Sequence, residues 1–524
     1  MKRLRLAVRR VAFIAVQSTA NLPWSQQALG DVDTRHILHE YAAHDFAPRN
    51  VDWELVRQLN GYLRKLTKTD FSAECSLNLT VDQYWRRRHS KPFGNGSSWN
   101  DSFAQFYNSI GSCALYRSDE VVSRLLNDLH LSPVKQVSIK DGGTQSKLLI
   151  IFENDNMAIW KPMRFGRHYE MDINHFYFSD YERHTAEIAA FHLDKVLGFR
   201  RAIPTVSRVF NLSHEIQRLS DKALNKTFFW SPAKNLCFKG KCTYYCDYTH
   251  AICGRPTLKE GALQVFLPAA LTRKNRRSPY RRTYSGLTQL ADWQTNQSYC
   301  ETVVKRKAAY AHSHLLLDLI DMHILDFLMY NQDRHHLMTM NVWPELGPGS
   351  PVHMDNGRGF GRSDVDDVTI LYPLVQCCLI RPSTFATLLT YYAGGTTLST
   401  ALHRSLQSDP SWPILPVKHY IAIERRLRTV LHHVRLCIQQ AGGNVRRVAR
   451  PRFDNANVPL KAAKLESSVT ETVPENIRKK TMMDYARMNK SVADALSGLL
   501  PIAPDEEFPV NDADGTLNTK FIIS

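Results

Sequence analysis

Two short acidic motifs restrict what this chain can fold into. Asn331-Gln332-Asp333-Arg334-His335-His336 follows directly on an apolar run from Leu315 to Met329. About two dozen residues later comes His353-Met354-Asp355-Asn356-Gly357-Arg358-Gly359-Phe360-Gly361. Each sets one carboxylate among turn-forming Asn and Gly residues, so a fold that uses both must bring two loops to one cleft. That is the arrangement of phosphoryl transfer, in which one aspartate orients an acceptor hydroxyl and a second holds the metal that bridges nucleotide phosphates. Asp333 and Asp355 are the first candidates for those roles. On spacing alone, the alternative is two loop aspartates that cap nearby backbone amides.

The upstream half favours the first reading. Lys161 closes two apolar stretches, Leu148–Phe152 and Met157–Pro162, separated by Glu153-Asn154-Asp155-Asn156. This pattern predicts a hairpin that delivers an ammonium group to phosphate oxygens. Just before it, Asp141-Gly142-Gly143-Thr144-Gln145-Ser146-Lys147 offers a Gly-Gly turn able to cover phosphates with backbone amides. It matches neither the Walker loop nor the kinase G-x-G-x-x-G loop. After it, residues 179–193 predict a helix running to Gly198, whose glutamates can pair with Lys161 or bind metal. Ser179 and Glu182 also stand three apart, the spacing of a capping box that would make Glu182 purely local.

Length and pattern divide the chain. Its 524 residues, 43% of them apolar, suffice for two to four domains and a sizeable core. Residues 1–30 read as a weak signal or anchor: a basic start through Arg9-Arg10, then a short apolar run. Residues 31–130 read as a mostly helical segment, 131–268 as a small lobe of strands with one long helix, and 269–443 as a helix-rich large lobe. A helix is expected from Tyr420 to Gln440, stopped by Gly442-Gly443. Residues 444–524 are polar and proline-punctuated and read as a largely disordered tail, with a helix near 482–500.

A net charge of +17 raises nucleic acid as a partner, yet no zinc finger, RNA-recognition signature or basic heptad accompanies it. The densest run, Arg273-Lys274-Asn275-Arg276-Arg277-Ser278-Pro279-Tyr280-Arg281-Arg282, is either a solvated insertion or an electrostatic landing strip for acidic substrates. Cys237, Cys242, Cys246 and Cys253 would suggest a zinc Cys₄ site in a cytosolic protein. They lack a C-x₂-C pair, and the vicinal Cys377-Cys378 look like anchors for two separate long-range bridges. Sequons beginning at Asn78, Asn95, Asn100, Asn211, Asn225, Asn296 and Asn489 agree with an oxidising lumen. His335 and His336 read as loop-fixing residues, since the metal here should be oxygen-bound.

The stretches KPM, YFSDYERHTAEIAAFHLDKVLGFRR, DFLMYNQDRHH, HMDNGRGFG and LVQCCLIRPST, with the four-cysteine cluster, resemble the secretory-pathway kinases called "family with sequence similarity twenty" over about residues 95 to 443. The nearest branch is the Golgi casein kinases. The resemblance implies an atypical bilobal α+β kinase fold with disulfides and an N-terminal helical segment, acting on Ser-x-Glu sites of acidic secreted proteins. It implies ATP with Mn²⁺ or Mg²⁺, with Asp333 as base and Asp355 and Glu182 as metal ligands. Gln145, Lys147 and Lys161 would surround the nucleotide, and Gln264-Val265-Phe266-Leu267 would receive the adenine. It also implies a Golgi-lumenal or secreted location, no nucleic acid, membrane contact only through an N-terminal anchor, and a homodimer or a heterodimer with a paralogue. Disulfides would join Cys237 to Cys253, Cys242 to Cys246, Cys300 to Cys377 and Cys378 to Cys437, leaving Cys75 and Cys113 for a fifth. A non-catalytic relative carries glutamine where this chain has Glu182, and the xylose-kinase branch carries aspartate there. One departure stands out: the family motif continues Asp-Arg-His-His-Tyr-Glu, whereas this chain reads Leu337-Met338, and a thioether is a poor ligand for Mg²⁺ or Mn²⁺. Thr339 or Asn341 would have to supply an oxygen in its place. The alternatives are therefore a pseudokinase that activates a catalytic paralogue, or a glycosaminoglycan xylose kinase.

Overall fold

The computed structural model describes residues 32–454 apart from 45–49, 73–79, 82, 84–100, 112, 141, 173–179, 268–275, 284–288 and 340–348. The N-terminal signal or anchor, Ser179, Asn341 and the helix expected near 482–500 lie outside the described residues. The helix Trp53–Leu63 starts where Asp52 accepts from the Leu55 amide at 3.0 Å. Its Leu55, Val56, Leu59 and Leu63 repeat at helical spacing and are buried in the large-lobe core. Helices Ser102–Ser109 and Asp119–Leu131 bury their apolar faces in the other core, that of the small lobe. The N-terminal helices are thus divided between two cores.

The small lobe is an antiparallel sheet of β1 (Val134–Ile139), β2 (Leu148–Phe152), β3 (Met157–Pro162), β4 (Thr205–Asn211) and a long strand Leu258–Val265, with that last strand lying between β3 and β4. The expected hairpin forms, pairing Leu148 with Trp160 and Ile151 with Met157. Period-two alternation then sorts its residues. Ala158 and Trp160 join Leu148, Ile150 and Phe152 in the core, where Trp160 packs edge-on to Phe210 with ring centroids 5.2 Å apart. Leu149, Ile151, Met157 and Ile159 lie on the other face, the one that also carries Lys161. A second small sheet has β5 (Phe229–Trp230), β6 (Leu236–Phe238) and β7 (Ile252–Cys253). The strand Leu258–Val265 is β8.

In the large lobe the helix Leu315–Leu328 is buried along its whole length and the helix Val417–Gln440 packs beside it. The latter ends at Gly442 and Gly443, both at positive φ, with the Gly443 amide returning to the Ile438 carbonyl at 2.9 Å. A three-stranded sheet of β9 (Arg276–Arg277), β10 (His336–Thr339) and β11 (Pro351–Val352), in the order β11-β10-β9, carries both acidic loops at its ends. Buried polar links cross between the lobes. Arg167 holds Glu260 of β8 at 2.7 Å and donates to the Pro413 and Ser411 carbonyls at 2.6 and 3.0 Å. His353 meets Asp194 at 2.6 Å, and its backbone pairs with Ala202.

Two sequence expectations need correcting. The helix expected to start at residue 179 begins at His184, with Arg183 at its N-cap and no side-chain cap bond. Glu182 therefore precedes the helix and cannot be the third residue of a capping box. The tail begins later than residue 444: the short helix Val445–Val448 is buried, and Ala449 pairs with Ile380. Apolar Val445, Val448, Ala449 and Phe453 earn this stretch its place in the core.

Candidate active site

Lys161 is the meeting point of the site. Its ammonium is ion-paired to Glu187 and stands 3.6 Å from Asp355 Oδ1 and 3.8 Å from Glu182 Oε2. β3 brings the lysine, the first turn of His184–Val196 brings Glu187, the residue before its N-cap brings Glu182, and the second acidic loop brings Asp355. Burial alone would lower the Lys161 pKa, but Glu187, Glu182 and Asp355 outweigh it and hold it well above the ordinary lysine value. Burial and then its carboxylate neighbours push Glu182 up against the pull of Lys161. For Asp355 burial also acts upward, but Lys161, Lys147 and Arg334 prevail and keep it below the usual carboxylate range. Gly357 makes this approach possible, because a Cβ there would lie 2.7 Å from Glu182 Cβ. The Arg183 amide also donates to the Gly357 carbonyl at 2.6 Å, locking the two segments together.

The donor set suits a hard cation. Among the described residues no group of three or more His, Cys, Asp or Glu converges on one point. Glu182 and Asp355 supply two carboxylates, with the Asp355 side chain 65% exposed to the cleft. Mg²⁺-type ions take one or two protein carboxylates and complete their shells with phosphate and water oxygens, so the residues present fit such an ion.

On the nucleotide side, a narrow cleft is lined by Gln145, Ser146, Lys161, Arg164 and Glu182. Both polar atoms of Gln145 are buried there without a partner, as is the Ser146 hydroxyl, which leaves donors and acceptors for a ligand. Lys147 lies over Gly143, and its charge reaches both Glu182 and Asp355. The face carrying Lys161 continues as an apolar patch of Leu149, Ile151, Met157, Ile159 and Phe266. Of the segment expected to receive adenine, Phe266 joins this patch while Val265 and Leu267 pack with the small-lobe core, and its polar groups are unequally engaged. Gln264 donates to Thr205 at 3.1 Å, the Val265 amide goes to Pro204, and the Phe266 amide and carbonyl are taken by Met157 and Tyr107. Leu267, half-buried at its end, has no such bond among the described residues.

Opposite stands Asp333. Asn331 fixes its amide at 3.0 Å, His335 Nε2 meets Oδ1 at 2.7 Å, and Arg358 pairs with Oδ2. Arg334 grips Asp326 at 2.7 and 2.8 Å and Asn356 at 2.8 Å, and also reaches the Met354 carbonyl. It thus ties the two acidic loops to the end of Leu315–Leu328. A small pocket beside Asp333 is lined by Asp180, Tyr330, Gln332 and Arg358. Arg334 and Arg358 carry no role in the sequence expectations, although both lie inside the two acidic motifs; Glu187 is one of the helix glutamates expected to pair with Lys161, and it does. Met338 sits half-buried in β10 opposite Val352, and the Thr339 hydroxyl is buried without a partner.

The cysteines pair as the resemblance implied: Cys237–Cys253, Cys242–Cys246, Cys300–Cys377 and Cys378–Cys437. This removes the zinc alternative. Cys113 is also disulfide-bonded, while Cys75 lies outside the described residues. The first two bridges shape a loop that packs on the glycine turn: Thr243 donates to the Gly143 carbonyl at 3.2 Å, and a Cβ on Gly240 would collide with Ser146 Oγ.

Two lobes, a strand lysine paired to a helix glutamate, and an aspartate on each of two facing loops define an atypical protein-kinase-like fold. A family model described as "Golgi casein kinase, C-terminal, Fam20" matches residues 101–445, and the chain belongs to the Fam20 family. It is 51% identical over 412 residues to the extracellular serine/threonine protein kinase CeFam20 of Caenorhabditis elegans, covering 78% of this chain and 76% of that one. Identity to the extracellular serine/threonine protein kinase FAM20C of Homo sapiens is 44% over 345 residues, 65% of this chain and 58% of that one. A crystal structure of the Golgi casein kinase with Mn/ADP bound aligns at a TM-score of 0.74 and 49% identity, over 78% of this chain and 95% of that one. Relatives named pseudokinase and glycosaminoglycan xylosylkinase match as well.

Proposed function

We propose that the chain is a secretory-pathway serine/threonine kinase that transfers the γ-phosphoryl group of ATP to Ser-x-Glu sites of acidic secreted proteins. One observation carries this reading: Lys161 stands within 4 Å of Glu182 and Asp355, and Arg358, three residues after Asp355, holds Asp333 of the other acidic loop. The Golgi casein kinase structure with Mn/ADP and the relatives named extracellular kinases support it. Lys161 neutralises phosphate charge and is held for that by Glu187, while Gln145 and Lys147 bind phosphate oxygens. Adenine lies against the Phe266 patch with Leu267 at its edge. Glu182 and Asp355 hold Mn²⁺ or Mg²⁺, which neutralises charge on the phosphates when bound. Asp333 orients the serine hydroxyl for in-line attack and takes its proton, while His335 and Arg358 fix the carboxylate. The disulfides agree with a Golgi-lumenal or secreted site of action, and no helix among the described residues is long and apolar enough to cross a membrane.

Met338 favours a second reading, a pseudokinase that pairs with and activates a catalytic paralogue. It puts a soft thioether where the family motif carries a carboxylate. Against this, the chain keeps Glu182 where the non-catalytic relative has glutamine. The deciding experiment offers purified protein with ATP and Mn²⁺ both a Ser-x-Glu peptide and a xylose-bearing linkage oligosaccharide. Phosphate on the peptide alone upholds the proposal. Phosphate on the sugar alone, or on neither, overturns it.

A further inference from the structure

From Arg276 onward the basic run, for which the sequence allows two meanings, has a defined position, while Arg273, Lys274 and Asn275 lie outside the described residues. β9 pairs with β10 so that Arg277 lies opposite His336 and Arg276 opposite Leu337, and the Ser278 amide donates to the His335 carbonyl at 2.9 Å. His336 is three residues from Asp333, no more than about 11 Å along the chain. The cationic strand is therefore stitched to the catalytic loop itself.

Its charges are unanswered. Neighbouring arginines each hold a carboxylate: Arg282 with Asp367 at 2.7 Å, Arg334 with Asp326 at 2.7 Å, and Arg358 with Asp333. Arg277 and Arg281 are exposed and make no ion pair among the described residues, and Arg276 has a buried Nε without a hydrogen-bond partner. They also act on one another's surroundings: burial lowers the pKa of His336, and His335, Arg277 and Arg281 lower it further. Among the described residues only Asp333 opposes this charge at His336, and neither Arg277 nor Arg281 has a carboxylate of its own, which leaves their guanidiniums open to an anionic ligand.

Resting on the kinase reading above, we propose that Arg277, Arg281 and His336 form the subsite that recognises an acidic side chain a few residues from the acceptor serine. An extended peptide advances about 3.3 Å per residue, so a carboxylate two or three residues from a serine held at Asp333 travels about 7 to 10 Å, a reach comparable with the chain-length ceiling on the separation of Asp333 and His336. Guanidinium forks match carboxylate geometry, and two exposed arginines suit one or two carboxylates rather than the repeating anionic groups of a glycan chain.

The test needs no transfer. Fluorescein-labelled peptides containing Ser-x-Glu-Glu and Ser-x-Gln-Gln are titrated, with ADP and Mn²⁺, into the full chain and into the double variants R277E/R281E and R277Q/R281Q, each checked for an unchanged melting temperature. The parent is expected to bind the Glu peptide about tenfold more tightly than the Gln peptide. The ratio should fall to about one in R277Q/R281Q and invert in R277E/R281E. A ratio retained in the variants, or absent in the parent, overturns the proposal. So does a heparin tetrasaccharide whose binding disappears in the variants while the peptide ratio stays put. A parent that shows the expected ratio but transfers no phosphate keeps the subsite and removes only the kinase reading.

Discussion

Arg358 holds Asp333: its Nη1 donates to Oδ2 of the aspartate from a position three residues after Asp355. The loop that carries one candidate carboxylate thus fixes the other. Replacing Arg358 by glutamine is expected to lower phosphotransfer by about ten- to a hundredfold, the scale of one oriented electrostatic contact. Nucleotide-dependent thermal stabilisation should survive. Lysine keeps the charge but lacks the planar fork, so R358K should recover only part of the loss. A glutamine variant as active as the parent would show that the contact does not orient the base.

Asp355→Asn is nearly isosteric and removes a charge that faces Lys161 and the cleft. Transfer is expected to fall by at least about two orders of magnitude, and Mn²⁺ should no longer raise the melting temperature in the presence of ADP. Secretion should be unaffected. Equal activity in mutant and parent would refute the metal assignment.

Glu260 predicts an acid limb of stability. Burial would raise its pKa, but Arg167 and His184 bring it down to about 2 from an ordinary 4.5. A carboxyl depressed in the folded state contributes stability above its unfolded pKa and loses it as pH falls through the folded one. The contribution, about 3 kcal/mol, should therefore disappear between about pH 4.5 and 2. His184, lowered chiefly by burial, adds to the loss on the acid side. Denaturant unfolding measured across this range should show the limb, and Glu260→Gln should flatten it while lowering stability at neutral pH, where Arg167 loses its carboxylate and keeps only neutral acceptors such as the Pro413 and Ser411 carbonyls. An unchanged slope in the variant would contradict the assignment.

Met338→Glu tests the departure within the catalytic motif. In a working kinase the new carboxylate should raise activity or sharpen Mn²⁺ dependence; in a chain disabled at this point it should switch transfer on. The half-buried position sets a desolvation cost that bound cation and nucleotide must offset, so thermal stabilisation by ADP and Mn²⁺ is the accompanying measurement. A variant identical to the parent in both assays would show that residue 338 does not face the metal.

Much of the frame was legible because it is local. Two apolar stretches parted by a polar turn marked the β2–β3 hairpin and Lys161, and the apolar run from Leu315 marked the helix that feeds the Asp333 loop. The disulfide pairing came from the resemblance, since four clustered cysteines admit several connectivities. What escaped was long-range pairing of charges. The pairing of a helix glutamate with Lys161 is the exception, since it was expected from the acidic residues of that helix and Glu187 makes it; nothing near Arg358 announces Asp333, 25 residues away. The helix start was misplaced because Ser179-x-x-Glu182 mimics a cap, whereas Glu182 is drawn instead to Lys161.

The Cys237–Cys253 loop leans on the turn that carries Gln145, through Gly240 against Ser146 and Thr243 against Gly143. A newly made, still-reduced chain lacks the covalent staples that shape this brace. Reducing the Cys237–Cys253 and Cys242–Cys246 bridges would therefore loosen the support behind Gln145 without touching the lysine and carboxylates that meet at Lys161.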